Sequence, residues 1–173
     1  MEHSQKTVWT IGHSTRTLEA FIGLLNAFNI DLLVDIRTFP GSKRYPHFNK
    51  ESLSASLRDR GIAYVHMVEL GGRRKPLENS VNTAWRHASF RGYADYMQTQ
   101  TFKEAIEKLE GLASIHRLAY MCSEALWWKC HRSLVSDYLK VNGWKVLHIM
   151  DEGKSTEHPF TSPARSVQGK LFY

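Results

Sequence analysis

Short apolar runs of β type alternate with stretches of helical period along most of this chain, and no other feature limits its fold so tightly. Residues 7–11 (TVWTI) read as a first strand running into Gly12-His13-Ser14. Leu18, Phe21, Ile22, Leu25 and Phe28 then recur on one helical face, with Thr17 placed to cap it. Residues 31–36 (DLLVDI) predict a second strand, followed by a basic loop from Arg37 to Phe48. Asn49 is placed to cap a helix carrying Leu53 and Leu57, which Gly61 ends. A third strand at 63–68 (AYVHMV) leads to Glu69-Leu70-Gly71-Gly72-Arg73. Residues 77–90 are polar and irregular, and a short helix is expected over 91–98. Thr101 and Glu104 have the spacing of a capping box ahead of Ile106, Leu109 and Leu112. Residues 117–121 (RLAYM) give a fourth strand ending at Cys122. A helix from about 130, with Leu134, Val135, Tyr138 and Leu139, ends at Gly143 before a fifth strand at 144–149 (WKVLHI). The tail, 151–173, reads as loop.

Strands alternating with helices imply an α/β fold, because parallel neighbours need a crossover connection. The expectation is a single domain over 1–173: a mostly parallel sheet of about five strands with helices on both faces. At 173 residues the chain is long enough to bury roughly two-thirds of its unfolded surface. No Pro/Gly/Ser-rich linker or repeat divides it, and no apolar run has the length of a signal peptide or a membrane span. A cytoplasmic location without a membrane partner is therefore expected, and nothing implies an obligate protein partner. In open parallel sheets, ligands bind in the crevice beyond the carboxyl ends of the strands. Here those ends lead into Gly12-His13-Ser14, Asp35-Ile36-Arg37, Gly71-Gly72-Arg73, Cys122-Ser123-Glu124 and Met150-Asp151-Glu152.

The strongest local signal is LAYMCSEALWWKCHRSLVSDYL, 118–139. A thiol between a strand and a helix lies near backbone N–H groups and the positive end of a helix dipole, which lower its pKa. Lys129, His131 and Arg132 add positive charge, so Cys122 is the candidate nucleophile; the competing reading is a buried structural thiol. Cys130, in register with Leu134, is assigned to the core. Glu124, beside Trp127 and Trp128, is a candidate general acid/base if that surrounding is dry, or else an exposed carboxylate. The tryptophans offer a stacking surface for a planar ligand, or are ordinary core.

Lys and Arg number 23 against 17 Asp and Glu, a formal charge of +6 that favours acidic partners. The cations gather in loops with aromatics: Arg37, Lys43 and Arg44 with Tyr45 and Phe48, then Arg73-Arg74-Lys75, then Arg86 and Arg91 around Trp85 and Phe90. Arginine forks match phosphate and carboxylate geometry, and glycines let backbone approach a ligand. Asp35 is expected to orient Arg37 or His13. His13, Cys122, Cys130 and His131 also compose a possible metal or haem set, although adjacent Cys130 and His131 are poorly placed to face one ion. No Walker loop, GxGxxG, GxSxG or HExxH is present.

TIGHSTRTLEAFIGLL, LLVDIRTFPGSKRYPHFN, YVHMVELGGRR, WRHASFRGYADYM, MCSEALWWKCHRSLVSDYL and HPFTSPAR together resemble the bacterial family called domain of unknown function 488, over nearly the whole chain. The resemblance implies a cytosolic α/β protein with a site around His13, Arg37, Arg73, Cys122, Glu124, Cys130, His131 and Arg132; it implies no reaction.

Three functions fit these features. The first is an enzyme acting on an anionic, phosphate-bearing substrate: a nucleotide, a nucleoside derivative or a nucleic-acid base. Cys122, Glu124 and His13 would do the chemistry; Arg37, Arg73 and Arg132 would hold the anion, with Asp35, Trp127, Trp128 and Arg91 also in the binding site. The second is a nucleic-acid-binding module without chemistry. The third is a metal- or haem-dependent protein, and no cofactor is specified by the sequence.

Overall fold

The computed structural model describes residues 4–173. Five strands, β1 (Thr7–Gly12), β2 (Leu32–Asp35), β3 (Ala63–His66), β4 (Leu118–Cys122) and β5 (Lys145–Asp151), run parallel in one sheet. β6 (Lys154–Glu157) pairs antiparallel with β5 at its edge, so the spatial order is β3-β2-β4-β1-β5-β6. The helices are α1 (Leu18–Ala27), α2 (Lys50–Arg58), α3 (Ala88–Tyr96), α4 (Gln100–Ile115) and α5 (Arg132–Val141).

Period-two alternation in the central strands feeds two separate cores. Trp9, Ile11, Leu33, Ala119 and Met121 join Phe21, Ile22 and Leu25 of α1 and Leu53 and Leu57 of α2 on one face. Val8, Leu32, Val34, Leu118 and Tyr120 join Tyr93 of α3, Phe102 and Ile106 of α4 and Leu134 and Val135 of α5 on the other. β2 and β4 are buried at every position, as strands covered on both faces must be.

The topology locates a crevice. From β1 the chain leaves through α1 toward β2; from β4 it leaves through α5, on the opposite face, toward β5 beyond β1. Neighbouring strands whose connections diverge in this way open a gap at their carboxyl ends. β1 and β4 are those neighbours.

Several local expectations are corrected. Asn49 stands at the N-cap position of α2, as expected, but its Oδ1 accepts from the Ser42 N–H (2.5 Å) in the preceding loop, so the side chain does not cap the helix. Thr99, not Thr101, caps α4 by accepting from Phe102 N–H, so the helix starts sooner and no Thr101–Glu104 box forms. α3 covers 88–96 rather than 91–98, because the His87 ring accepts from Ser89 N–H and starts it early. The tail is not loop-like: β6 extends the sheet, and β7 (Arg165–Val167) and β8 (Lys170–Phe172) form a hairpin. Gln168 and Gly169 turn it with φ of 50° and 73°, the twist a two-residue hairpin favours. The tail is fastened from inside. Buried Asp137 of α5 accepts from the His158 ring, from Thr161 N–H and hydroxyl, and from the Tyr173 hydroxyl. Short polar residues hid these elements, since β6 is exposed throughout and shows no apolar alternation. Among the described residues no helix is long and apolar enough to cross a membrane.

Candidate functional site

Beyond their last paired residues, β1 and β4 keep the parallel ladder going into the loops. His13 N–H donates to Cys122 O (3.0 Å) and Ser14 N–H to Ser123 O (2.9 Å). Ser14 takes φ of 50°, a left-handed conformation that turns the chain away from the sheet. This approach is possible only because residue 12 has no side chain: a Cβ there would lie 1.8 Å from Glu124 O. Gly12→Ala must therefore push the two loops apart. We expect a loss of about 1–3 kcal/mol, the usual cost of overpacking, measured by denaturant unfolding, with disturbed thiol reactivity beside it. Unchanged stability would show that the loops are not locked together.

The crevice is a cavity of about 720 Å³, and His13, Arg37, Arg73, Cys122, Glu124, Cys130 and His131 all contribute to its wall. Four of the strand-end loops thus converge there. Cys122 and Cys130 stand at its floor, 3% and 8% exposed, with their sulfurs 2.7 Å apart. Cys130 is not on the buried face of α5. That helix begins two residues later, leaving Cys130 extended (φ −140°, ψ 165°) on the cavity wall. The helix N-terminus consequently serves Cys130 rather than Cys122: Arg132 N–H reaches Cys130 Sγ at 3.2 Å. The same residue's side chain turns back, and Nη1 donates to Cys122 Sγ at 3.3 Å.

Arg132 is 1% exposed. Nη2 donates to Ala125 O (3.2 Å), Nε has no protein partner, and no carboxylate pairs with it among the described residues. A buried cation without a counter-charge is costly. A Cys122 thiolate supplies that charge. Burial by itself raises the Cys122 pKa, but the Cys130 S–H bond and the Arg132 charge outweigh it and bring the thiol below its ordinary value. Cys130 moves well up, through burial and through donating its proton to Cys122. The pair therefore shares one proton, held on Cys130.

Two histidines flank the thiols as neutral rings. His13 is 4% exposed, lies against Phe48 at a centroid distance of 4.3 Å, and is driven to a pKa of about 4, chiefly by burial. Its Nδ1 meets Ser14 O at 2.9 Å, which fixes the proton there and leaves Nε2 as a lone pair. His131 is likewise lowered to about 4 by burial, and its Nε2 donates to Ile36 O (2.9 Å). Its Nδ1 lies where a Cβ on Gly72 would sit 2.9 Å away, so that glycine admits the ring.

Asp35 orients Arg37, as expected. Its two oxygens accept from Nε (2.9 Å) and Nη2 (2.7 Å), Tyr64 hydroxyl donates to it (2.5 Å), and Nη2 also reaches Phe48 O (2.8 Å). Nη1 makes none of these bonds. Arg73 is exposed, lies over the Phe39 ring at 5.4 Å, and takes φ of 61°. A non-glycine residue in that region stores about 1–3 kcal/mol of strain. Lys129 adds another exposed cation to the wall.

Other candidates lie elsewhere. Arg132 does not line the cavity and is turned to the thiols, so it is not placed to grip a ligand. Trp127 is stacked on His148 (4.6 Å, 4°), within a buried chain from Thr10 through His148 and His158 to Asp137. Trp128 is half-exposed outside the cavity, and Arg91 is bound to the carbonyls of Trp85 and Arg86. Glu124 is an exposed carboxylate at the mouth, not one in a dry aromatic setting. Among the described residues no group of three or more His, Cys, Asp or Glu side chains is arranged to hold a metal ion. In the set His13, Cys122, Cys130 and His131, each ring already gives one nitrogen to a backbone carbonyl.

The spacing of Cys130 to Leu134 put that thiol in the core, while the family resemblance implied it in the site, and the cavity wall is where it stands. An extended residue just ahead of a helix start, eight positions after another cysteine, was the available signal. The family model described as "Domain of unknown function DUF488" matches residues 17–139. Comparison with curated proteins and with solved structures finds no match.

Proposed function

The chain belongs to the DUF488 family, and for this member we propose an enzyme that holds an anionic, phosphate-bearing substrate in the strand-end crevice and attacks it with the Cys122 thiolate. The observation that carries this reading is the buried Arg132 guanidinium, which among the described residues meets no carboxylate and donates instead to the Cys122 sulfur and to Ala125 O. A protein that needed Cys122 only as packing would be more stable with an apolar residue in place of that arginine. With the arginine there, the sulfur is held toward the thiolate, which is the nucleophilic form.

The remaining groups take defined parts. Arg73, exposed and unpaired with any carboxylate among the described residues, is the anion's main contact, with Arg37 Nη1 and Lys129 beside it. The Asp35–Arg37 pair is already neutral, so Arg37 offers direction more than charge. Attack by Cys122 expels the substrate's leaving oxygen, which takes a proton from water, and His13 Nε2, unprotonated at neutral pH, accepts the proton of the water that then releases the covalent intermediate.

Inorganic phosphate titration tests the anion site. Arg73→Ala should weaken binding by about 1–3 kcal/mol, roughly 5- to 150-fold, the scale of a charge-assisted hydrogen bond. Added salt should reduce the difference. Unchanged affinity in both Arg73→Ala and Arg37→Ala would remove phosphate from the reading. Affinity that instead grows with the length of a single-stranded oligonucleotide would favour a nucleic-acid-binding module.

A further inference from the structure

A nucleophile needs one thiol, and this cavity holds two. Cys122 comes from the end of β4 and Cys130 from the residue two before α5, so the fold itself brings them together across the seven residues between them. Arg132 touches both sulfurs, the guanidinium on Cys122 and the backbone N–H on Cys130. That loop is clamped at both ends. Gly12 packs against its backbone at Glu124, and Trp127 stacks on His148. A hydrolytic role for Cys122 uses the Cys130 S–H bond to hold the thiolate, but gives no part to the helix N–H that faces the Cys130 sulfur.

We propose that Cys122 and Cys130 are a dithiol–disulfide couple, in which Cys122 reduces a hydroperoxide and Cys130 resolves the product as an intramolecular disulfide. In the first step Cys122 Sγ attacks the outer peroxide oxygen. An S–O bond forms, the O–O bond breaks, and the leaving alkoxide takes a proton from water. Cys122 is then a sulfenic acid. In the second step Cys130 Sγ attacks Cys122 Sγ, the S–O bond breaks, and the hydroxyl leaves as water with the Cys130 proton. The sum is two thiols and one hydroperoxide giving a disulfide, an alcohol and a water. A small-molecule dithiol restores the pair.

Three observations give direction to these steps. The guanidinium contact selects Cys122 as the attacking sulfur, because the thiolate and not the thiol is the nucleophile. The Arg132 N–H at the start of α5 stabilises charge on Cys130 while it attacks. Disulfide sulfurs lie about 2.05 Å apart, so closing a pair now at 2.7 Å asks only a sub-ångström shift. Oxidation also removes the thiolate charge that Arg132 faces, so the reduced state is the one the ion pair favours and the disulfide is readily reduced.

This couple shares the Cys122 thiolate with the proposed function but not its anionic substrate. Treat the reduced full-length protein with equimolar hydrogen peroxide, count thiols, and map the products by non-reducing peptide mass analysis. Both thiols should disappear together, as one cross-linked peptide in a monomeric chain, and dithiothreitol should return them. Cys130→Ser should stop at a sulfenic acid on Cys122 that dimedone traps. Cys122→Ser should slow oxidation of the remaining thiol by at least about tenfold, because burial keeps the Cys130 thiol protonated. Intermolecular disulfides, dimedone on Cys130, or peroxide resistance of both thiols in the wild-type chain would each overturn the couple. Phosphate titration of the reduced protein in parallel separates the two ideas: binding without disulfide formation sinks only the couple, and disulfide formation without binding sinks only the anion site.

Discussion

Lowering the pH from about 7.5 to about 5 should remove roughly 4 kcal/mol of folding free energy, well before the carboxylates titrate. His13 and His148 are 4% and 1% exposed, and burial holds their pKa values near 4 and near 2. In the unfolded chain each returns to about 6.5. Between those values the unfolded state binds a proton that the native state refuses, so stability is full above about 6.5 and drains as pH falls. At pH 5 each ring costs about 2 kcal/mol, and His131, partly exposed and also lowered to about 4, adds to the same sign. Against a typical total of about 5–15 kcal/mol, such a loss brings the chain close to unfolding. Denaturant titration at a series of pH values reads it directly. A flat profile from pH 7.5 to 5 would mean that these histidines are not buried as neutral rings. Asp95 behaves differently: bonds from Ser80, Asn82 and Leu77 N–H lower its pKa despite the opposing effect of burial, so its contribution is lost only under stronger acid.

The parallel sheet was legible because strands buried on both faces must be written in apolar residues, and LLVDI and LAYM are. The strand-end crevice followed from the same pattern, since loop chemistry is carried where the strands stop. Helix caps were read less well. Thr99 and Thr101 offer the same hydroxyl two residues apart, and only backbone conformation separates them. The tail failed for a different reason. Its strands are exposed, and what anchors them is the buried polar set at Asp137, whose members lie up to 36 residues apart in the chain. Polar partners at such separation leave no periodicity. Cys130 and Arg132 failed through periodicity itself, because a helix started two residues early placed the thiol in the core and the arginine in the crevice. The structure exchanges them: the thiol lines the cavity and the arginine is buried behind it.

That exchange makes the second large expectation a matter of reactivity. A thiolate held by Arg132 and by the Cys130 S–H should react with an alkylating agent near neutral pH far faster than its partner does. With Cys122 held below the ordinary thiol value and Cys130 well above it, the thiolate fractions at pH 7 differ by at least about tenfold. Arg132→Met keeps much of the buried volume, removes the cation, and returns Cys122 toward or above the ~8.5 of a free thiol. Removing the cation also removes its desolvation cost, so Arg132→Met need not be less stable than the parent. Stability retained together with reactivity lost is the combination that a merely structural arginine would not give.

The most direct test of the Cys122 thiolate is the rate of iodoacetamide labelling at each cysteine across a pH series, resolved by peptide mass, for the wild-type chain and Arg132→Met. Cys122 should be labelled first, with a midpoint below ~8.5; Cys130 should lag by at least about tenfold at pH 7; and Arg132→Met should move the Cys122 midpoint upward. Labelling of Cys130 first, no native labelling of either thiol, or a Cys122 midpoint indifferent to Arg132→Met would contradict the Cys122 thiolate.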